Sequence, residues 1–142
     1  MKVSDDAKYK IYVDMKKRGK CPSEDSVHVG FIAWVRHNYP EIGNLLIHPK
    51  NEGKRTAQQV SMDKKMGSIA KGASDIIIPG NPSFVCELKR EDATQCKWQA
   101  GQEDYLNNAA DNGCFSCVAF GLDAAKEAFI DWLSTNNNLM SL

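Results

Sequence analysis

The sequence predicts an α/β fold, a mixed β-sheet with helices packed on it. Three observations predict it. Runs rich in β-branched and aromatic residues alternate with stretches of helical apolar period. Two of those runs, 75–78 and 84–89, flank the dense turn signal Pro79-Gly80-Asn81-Pro82-Ser83 and read as a β-hairpin. Beyond the hairpin the pattern reads helix, strand, helix.

Taken in order, the elements run α, α, β, α, β, β, α, β, α. Residues 5–18 predict a charged helix with Tyr9, Tyr12, Val13 and Lys16 along one side. Gly19-Lys20-Cys21-Pro22 is the nearest thing to a linker, so 1–22 reads as a charged N-terminal extension and 23–142 as one domain. Residues 23–38 form a helix opened by Ser23, with Pro22 just before it. Its apolar positions Val27, Phe31, Trp34 and Val35 keep the helical period, and Pro40 ends it. Residues 45–48 are a short strand, followed by a polar loop over 49–55. Residues 56–66 are helical and stop at Gly67, with Gly72 in the loop beyond. After the hairpin a helix from about 95 to 111 leads to Gly113, residues 114–120 form a strand, and 122–135 a final amphipathic helix.

The chain has 142 residues at 15.8 kDa, the size of one domain with a real core. Apolar residues at 42% and charged residues at 25% exclude a disordered tail, a collagenous fibre and a bare helical rod. No apolar run approaches the roughly 18–20 residues of a membrane span. The charged N-terminus carries no signal-peptide pattern. Five cysteines without a framework spacing point to a reducing compartment, so the expected location is intracellular, the host cytoplasm if the gene belongs to a phage. Net charge is zero, yet the charge is unevenly spread: residues 8–20 carry +5, residues 44–72 carry +4 and residues 101–142 carry −5. Such separation lets a neutral protein hold a polyanion on one face, and it equally describes ordinary solvated faces.

The hairpin holds the chemistry. With Asn81 at the middle of the turn, residues whose numbers sum to 162 face each other, so Asp75 lies opposite Glu87. Their Cβ atoms are then about 5 Å apart on one face of the sheet. Like charges so placed repel unless something sits between them, and a hard divalent cation is the simplest candidate. The strand period puts Lys89 on the face of Glu87, while Cys86 and Leu88 point the other way. A register slip of one would separate the set, and the inert alternative makes Glu87 and Lys89 a solvated charge pair on an edge strand.

Asp75, a hairpin, then Glu87-Leu88-Lys89 resembles the PD-(D/E)XK nuclease superfamily with its restriction-endonuclease-like core. The surrounding sequence is similar to its VRR-NUC (virus-type replication-repair nuclease) family, particularly small stand-alone phage members. Glu24 stands at the family's N-terminal acidic position, and 48–55 is similar to the loop before its second helix. Gly67, Gly72 and Ala73 precede the aspartate, Gln102 begins the helix after the lysine, and Gly113 closes that helix eleven residues later. The similarity covers about residues 23–133. Two positions depart from it: Ser74 replaces a proline, and His28 stands where the family usually has glutamine.

The resemblance implies a metal-dependent endodeoxyribonuclease acting on branched, Holliday-junction-like or otherwise structured DNA in repair. It implies that Asp75, Glu87 and the Leu88 carbonyl hold Mg²⁺ or Mn²⁺, with Glu24 completing the acidic cluster. Lys89 would orient or deprotonate the attacking water, and Gln102 would hydrogen-bond beside it. Lys54 and Arg55 would grip phosphates, with His48, Lys50 and Lys71 as further contacts. Symmetrical junction cleavage implies a homodimer. Two other classes stay open. A silent nucleic-acid-binding module would bind with steep salt dependence and never cut. A nicking or restriction-type nuclease would differ in where its cuts map on linear duplex.

Other features read as structure. Cys114 and Cys117 sit three apart in a strand and so point to opposite faces, against a shared zinc or redox site. Glu24 and His28 share a helix face at i, i+4, as an ion pair or as site residues. His37 reads as a surface or cap residue, and Trp34, Trp98 and Trp132 as core or dimer contacts. No P-loop, dinucleotide glycine fingerprint or nucleophile elbow is present, so no nucleotide cofactor is expected.

Overall fold

A computed structural model describes residues 1–49, 56–67 and 69–135. Four strands form one mixed sheet: β1 (Lys10–Tyr12), β2 (Ile76–Ile78), β3 (Phe84–Lys89) and β4 (Phe115–Phe120) lie in the order β1-β4-β3-β2. β4 runs parallel to both β1 and β3, whereas β2 pairs antiparallel with β3. β3 and β4 are buried at every position, as central strands covered on both faces must be. Their neighbours are shorter and partly exposed.

Two helices cover one face. α1 (Glu24–Asn38) and α5 (Leu122–Thr135) bury Val27, Phe31 and Val35 and Ala128, Phe129 and Trp132 against Ile76, Phe84, Cys86, Leu88 and Cys117. The aromatic rings interlock there: Phe84 stands 5.3 Å from Trp132 and 6.1 Å from Phe129, and the Trp132 indole N–H donates to the Pro82 carbonyl at 2.7 Å. α4 (Gln102–Asp111) covers the opposite face, seating Leu106 on Val85 and Val118 beside Tyr9 and Phe120. Cys114 packs in this second cluster and Cys117 in the first, so the pair straddles the sheet. Trp132 is core, and Trp34 and Trp98 pack at its margins.

Local chemistry accounts for most boundaries. Ser23 caps α1, its hydroxyl oxygen accepting the Ser26 N–H at 3.1 Å, with Glu24 and Asp25 in the first turn and Arg36 and His37 in the last. Pro40 ends α1 as expected and opens the short α2 (Pro40–Gly43). α3 (Ala57–Met66) stops at Gly67, whose φ of 61° is left-handed. The hairpin register, Ile76 on Cys86, Ile77 on Val85 and Ile78 on Phe84, is the one set by a turn centred on Asn81.

Three expectations are corrected. The helix predicted over 5–18 is not formed: Lys10–Tyr12 is the parallel edge strand β1, and Tyr9, just before it, and Tyr12 pack on opposite faces of the sheet. Its partner β4 is more than a hundred residues away, and that pairing overrides the local helical pattern. The helix predicted from about 95 begins at Gln102. Asp92 caps a 3₁₀ turn at Ala93–Gln95, and Gly101 at φ 88° breaks any continuous helix through it. Residues 45–48 contribute a single bridge, Ile47 to Ile77, in place of a strand.

Candidate active site

β2 begins one residue after Asp75, and β3 delivers Glu87 and Lys89 on the same face of the sheet. The Asp75 carboxylate accepts the Leu88 main-chain N–H at 2.8 Å, which ties the aspartate to the strand that carries the other two. Period two does the rest: Cys86 and Leu88 enter the core under α1 and α5, and Glu87 and Lys89 face α4.

Glu87 is 0% exposed and Lys89 2% exposed. Two ionisable groups that deep must be satisfied locally. Glu87 Oε1 accepts the Gln102 amide N–H at 2.8 Å and lies 3.7 Å from Lys89 Nζ. Lys89 Nζ donates to the Lys97 carbonyl at 2.9 Å and to Gln102 Oε1 at 3.0 Å, above the Trp98 ring at 5.9 Å. Gln102 Oε1 also accepts the Gln99 N–H at 2.8 Å. Two donors converge on that oxygen, so the Gln102 amide has one orientation and bridges lysine to glutamate. Burial, then the neighbouring Asp75 charge, push the Glu87 carboxyl well up, to about 10. Its Oε2 is buried with no hydrogen-bond partner.

α1 supplies the other wall. Glu24 opens the helix and His28 follows one turn later, its Nε2 lying 3.8 Å from Glu24 Oε1 and 3.4 Å from Asp75 Oδ2. Burial disfavours the charged ring, but the carboxylates of Asp75 and Glu24 outweigh it and raise the His28 pKa. Burial likewise works against the Asp75 carboxylate, and His28 with the Leu88 N–H outweighs it, holding that pKa down. Burial raises the Glu24 carboxyl, with Lys89 opposing. His48 meets the His28 ring edge-on, centroids 5.1 Å apart, and its Nδ1 contacts the Asp75 carbonyl. A carbonyl only accepts, so Nδ1 carries the proton.

The donors fit a divalent cation. Ligand atoms of Glu24, His28 and Asp75 all lie within 4.8 Å of one another. Glu87 Oε2, buried with no hydrogen-bond partner, belongs to this same cluster, and His28 Nε2 meets only the carboxylates of Asp75 and Glu24 at ion-pair distance. Carboxylate oxygens with one imidazole are donors that a divalent cation can accept.

Glu24, Asp75, Glu87, Lys89 and Gln102 thus come together, and Leu88 links the group through its main chain. His28 joins them, although the sequence left its part open. Lys71 is exposed and packs beside Gly101, next to Gln102. Lys50, Lys54 and Arg55 lie outside the described residues. Sequence reasoning had no means to find the Lys97 carbonyl and the Gln99 N–H, because main-chain groups leave no mark on residue type.

Gly72 fixes how close α4 comes. It sits at φ 74°, and a Cβ there would lie 2.2 Å from the Gly101 carbonyl carbon and 2.7 Å from the Gln102 nitrogen. Gly72→Ala is expected to destabilise the fold by about 2–4 kcal/mol, through the left-handed backbone and the main-chain clash. Thermal unfolding in EDTA measures it, and an unchanged Tm would refute the close approach.

No family model and no curated protein matches the sequence. Among solved structures the chain is similar to one described as a VRR_NUC domain protein, at a TM-score of 0.66 and 19% identity, over 82% of this chain and 92% of that one. The mixed sheet, its flanking helices and the similarity over most of both chains agree: this chain has the VRR-NUC fold.

Proposed function

We propose that the chain is a divalent-metal-dependent endodeoxyribonuclease that hydrolyses phosphodiester bonds in branched or otherwise structured DNA. The observation that carries this reading is the buried chain Glu87–Gln102–Lys89 set beside Asp75, Glu24 and His28. A lysine this deeply buried, held by a carbonyl and an amide oxygen, has no evident role in stability that an apolar side chain would not fill better.

Asp75, Glu87, the Leu88 carbonyl and Glu24 would hold Mg²⁺ or Mn²⁺, with His28 as a further donor. A bound ion of this kind lowers the pKa of a coordinated water and polarises a phosphoryl oxygen. Lys89 Nζ orients the attacking water or takes up its proton, and Gln102 keeps the amine pointed there. Leu88 N–H and His28 hold the Asp75 carboxylate ionised and in place. Lys54, Arg55, Lys50, His48 and Lys71 contact phosphates of the bound strand.

The test is cleavage of end-labelled four-way junction, flap, single-stranded and linear duplex DNA, with Mg²⁺, Mn²⁺ or EDTA, for wild type beside Glu87→Ala. Metal-dependent cutting of branched substrates, lost in Glu87→Ala, is the expected result. Binding without cutting under every condition would instead make the chain a silent nucleic-acid-binding module. Paired symmetrical cuts in a junction require two copies of this single site, and the mass of the protein–junction complex measured alongside reports whether a homodimer forms.

A further inference from the structure

The segment between β1 and α1 holds a cluster of positive charge that the site so far described does not use. Lys16, Lys17, Arg18 and Lys20 occupy four of five consecutive positions, and all four are exposed. Among the described residues no carboxylate lies within ion-pair distance of the three lysines, and Arg18 reaches only the buried Asp92, at 3.9 Å. Asp14 turns its carboxylate onto the Lys16 main-chain N–H at 2.9 Å.

Strand polarity puts this segment at the catalytic end of the sheet. β1, β4 and β3 are parallel, so the chain leaves β1 at the same end at which β3 delivers Lys89. Lys20 precedes Glu24 by four residues, so their Cα atoms are at most about 14 Å apart.

The segment is also held in a set shape. The Asp92 carboxylate accepts the Gly19 N–H at 2.8 Å, and Gln95 donates to the Gly19 carbonyl at 2.8 Å. Arg90, next to Lys89 in the chain, donates its guanidinium N–H groups to the Cys21 and Pro22 carbonyls at 3.1 and 3.3 Å. Hydrogen bonds from Thr94 and from the Gly19 N–H hold the Asp92 carboxyl down, to about 2, so the clamp stays charged at any working pH. Every anchor of the loop lies within six residues of Lys89 in the chain.

We infer that Lys16, Lys17, Arg18 and Lys20 form a preset phosphate-gripping edge that binds the DNA backbone flanking the scissile bond. This rests on the nuclease reading for the identity of the ligand. Exposed cations spaced along a held loop, three of them without an acidic partner among the described residues, suit a line of phosphates, and each contact releases a counterion. The clamp keeps the ordering cost of the loop out of the binding step.

Binding of labelled duplex and four-way-junction DNA in EDTA, from 50 to 300 mM KCl, tests this without any chemistry. The variant is Lys16→Gln/Lys17→Gln/Lys20→Gln. Its charge-matched control is Lys8→Gln/Lys10→Gln/Lys126→Gln, away from this edge. The slope of log K against log salt is expected to flatten by about 2–3 in the first and little in the control. Wild-type Tm in the first variant confirms that it folds. An unchanged slope, or equal flattening in both variants, would overturn the proposal. A wild type that cuts DNA while either of those holds refutes this edge alone. A wild type that binds with the expected slopes in EDTA and never cuts with Mg²⁺ or Mn²⁺ refutes the nuclease reading alone, and a wild type that binds no DNA refutes both.

Discussion

Replacing Lys89 with alanine is expected to lower the rate of DNA cleavage by at least about 10³-fold while leaving DNA affinity within about twofold. The asymmetry follows from burial. Lys89 is 2% exposed and its amine is spent on the Lys97 carbonyl, Gln102 and the edge of Glu87, so it offers nothing to the outer backbone of DNA. Only a group entering the site meets it. Asp75→Asn is the companion variant: the amide oxygen keeps the Leu88 N–H bond, and only the charge is lost. It should match Lys89→Ala in lost turnover and stay closer to wild type in stability. Single-turnover cleavage with binding measured separately decides the matter, and full activity in either variant would sink the site assignment.

The second large effect is on stability. Glu87→Gln is expected to raise the stability of the metal-free protein at pH 7.5 by on the order of 2–3 kcal/mol, and Tm by several degrees. Burial beside Asp75 raises the Glu87 pKa from its ordinary value of 4.5 to about 10. A carboxyl raised in the folded state contributes its full stability below the unfolded value, near pH 4.5. That contribution is lost progressively as pH rises toward 10. Each pH unit within this window removes at most about 1.4 kcal/mol, which nearby Lys89 reduces. Glutamine is neutral throughout, so the variant should show a flatter stability profile between pH 5 and 9. If the proposed site binds Mn²⁺ through Glu87, the same variant should lose most of the stabilisation that millimolar Mn²⁺ gives the wild type. Thermal unfolding across pH, in EDTA and with Mn²⁺, reads both effects. A variant less stable than wild type at pH 7.5 in EDTA would contradict the buried, strained carboxyl.

Much of this was legible in the sequence where the signal is local. The turn Pro79–Ser83 fixes the pairing of Ile76 with Cys86, and strand period then places Asp75, Glu87 and Lys89 on one face. Ser23 and Pro40 bracket α1, and Gly67 and Gly113 end their helices with left-handed backbone. The helix over 122–135 is found where its period placed it. What failed was non-local. Lys10–Tyr12 is too short for its alternation to register, and its partner lies at Cys117–Ala119. The 3₁₀ turn after Asp92 depends on a carboxylate that also holds Gly19, a contact no window of sequence contains. At the site, the residue types were legible and their supports were not. Lys89 is aimed by a main-chain carbonyl, and His28 is placed by its approach to Asp75 and His48.

The strand order has a consequence for how the protein is made. β1 precedes β2, β3 and β4 in the chain, yet the only strand it pairs with among the described residues is β4, so Lys10 must wait for Cys117. The hairpin of β2 and β3 can close as soon as it is synthesised, and β4 can add to it afterwards. β1 cannot take its place in the sheet until β4 has been made, and the Gly19 contact with the Asp92 carboxylate likewise joins segments far apart in the chain. During synthesis the nascent chain therefore carries the hairpin before edge strand β1 is in place, and the four-stranded sheet comes together only once β4 has been made.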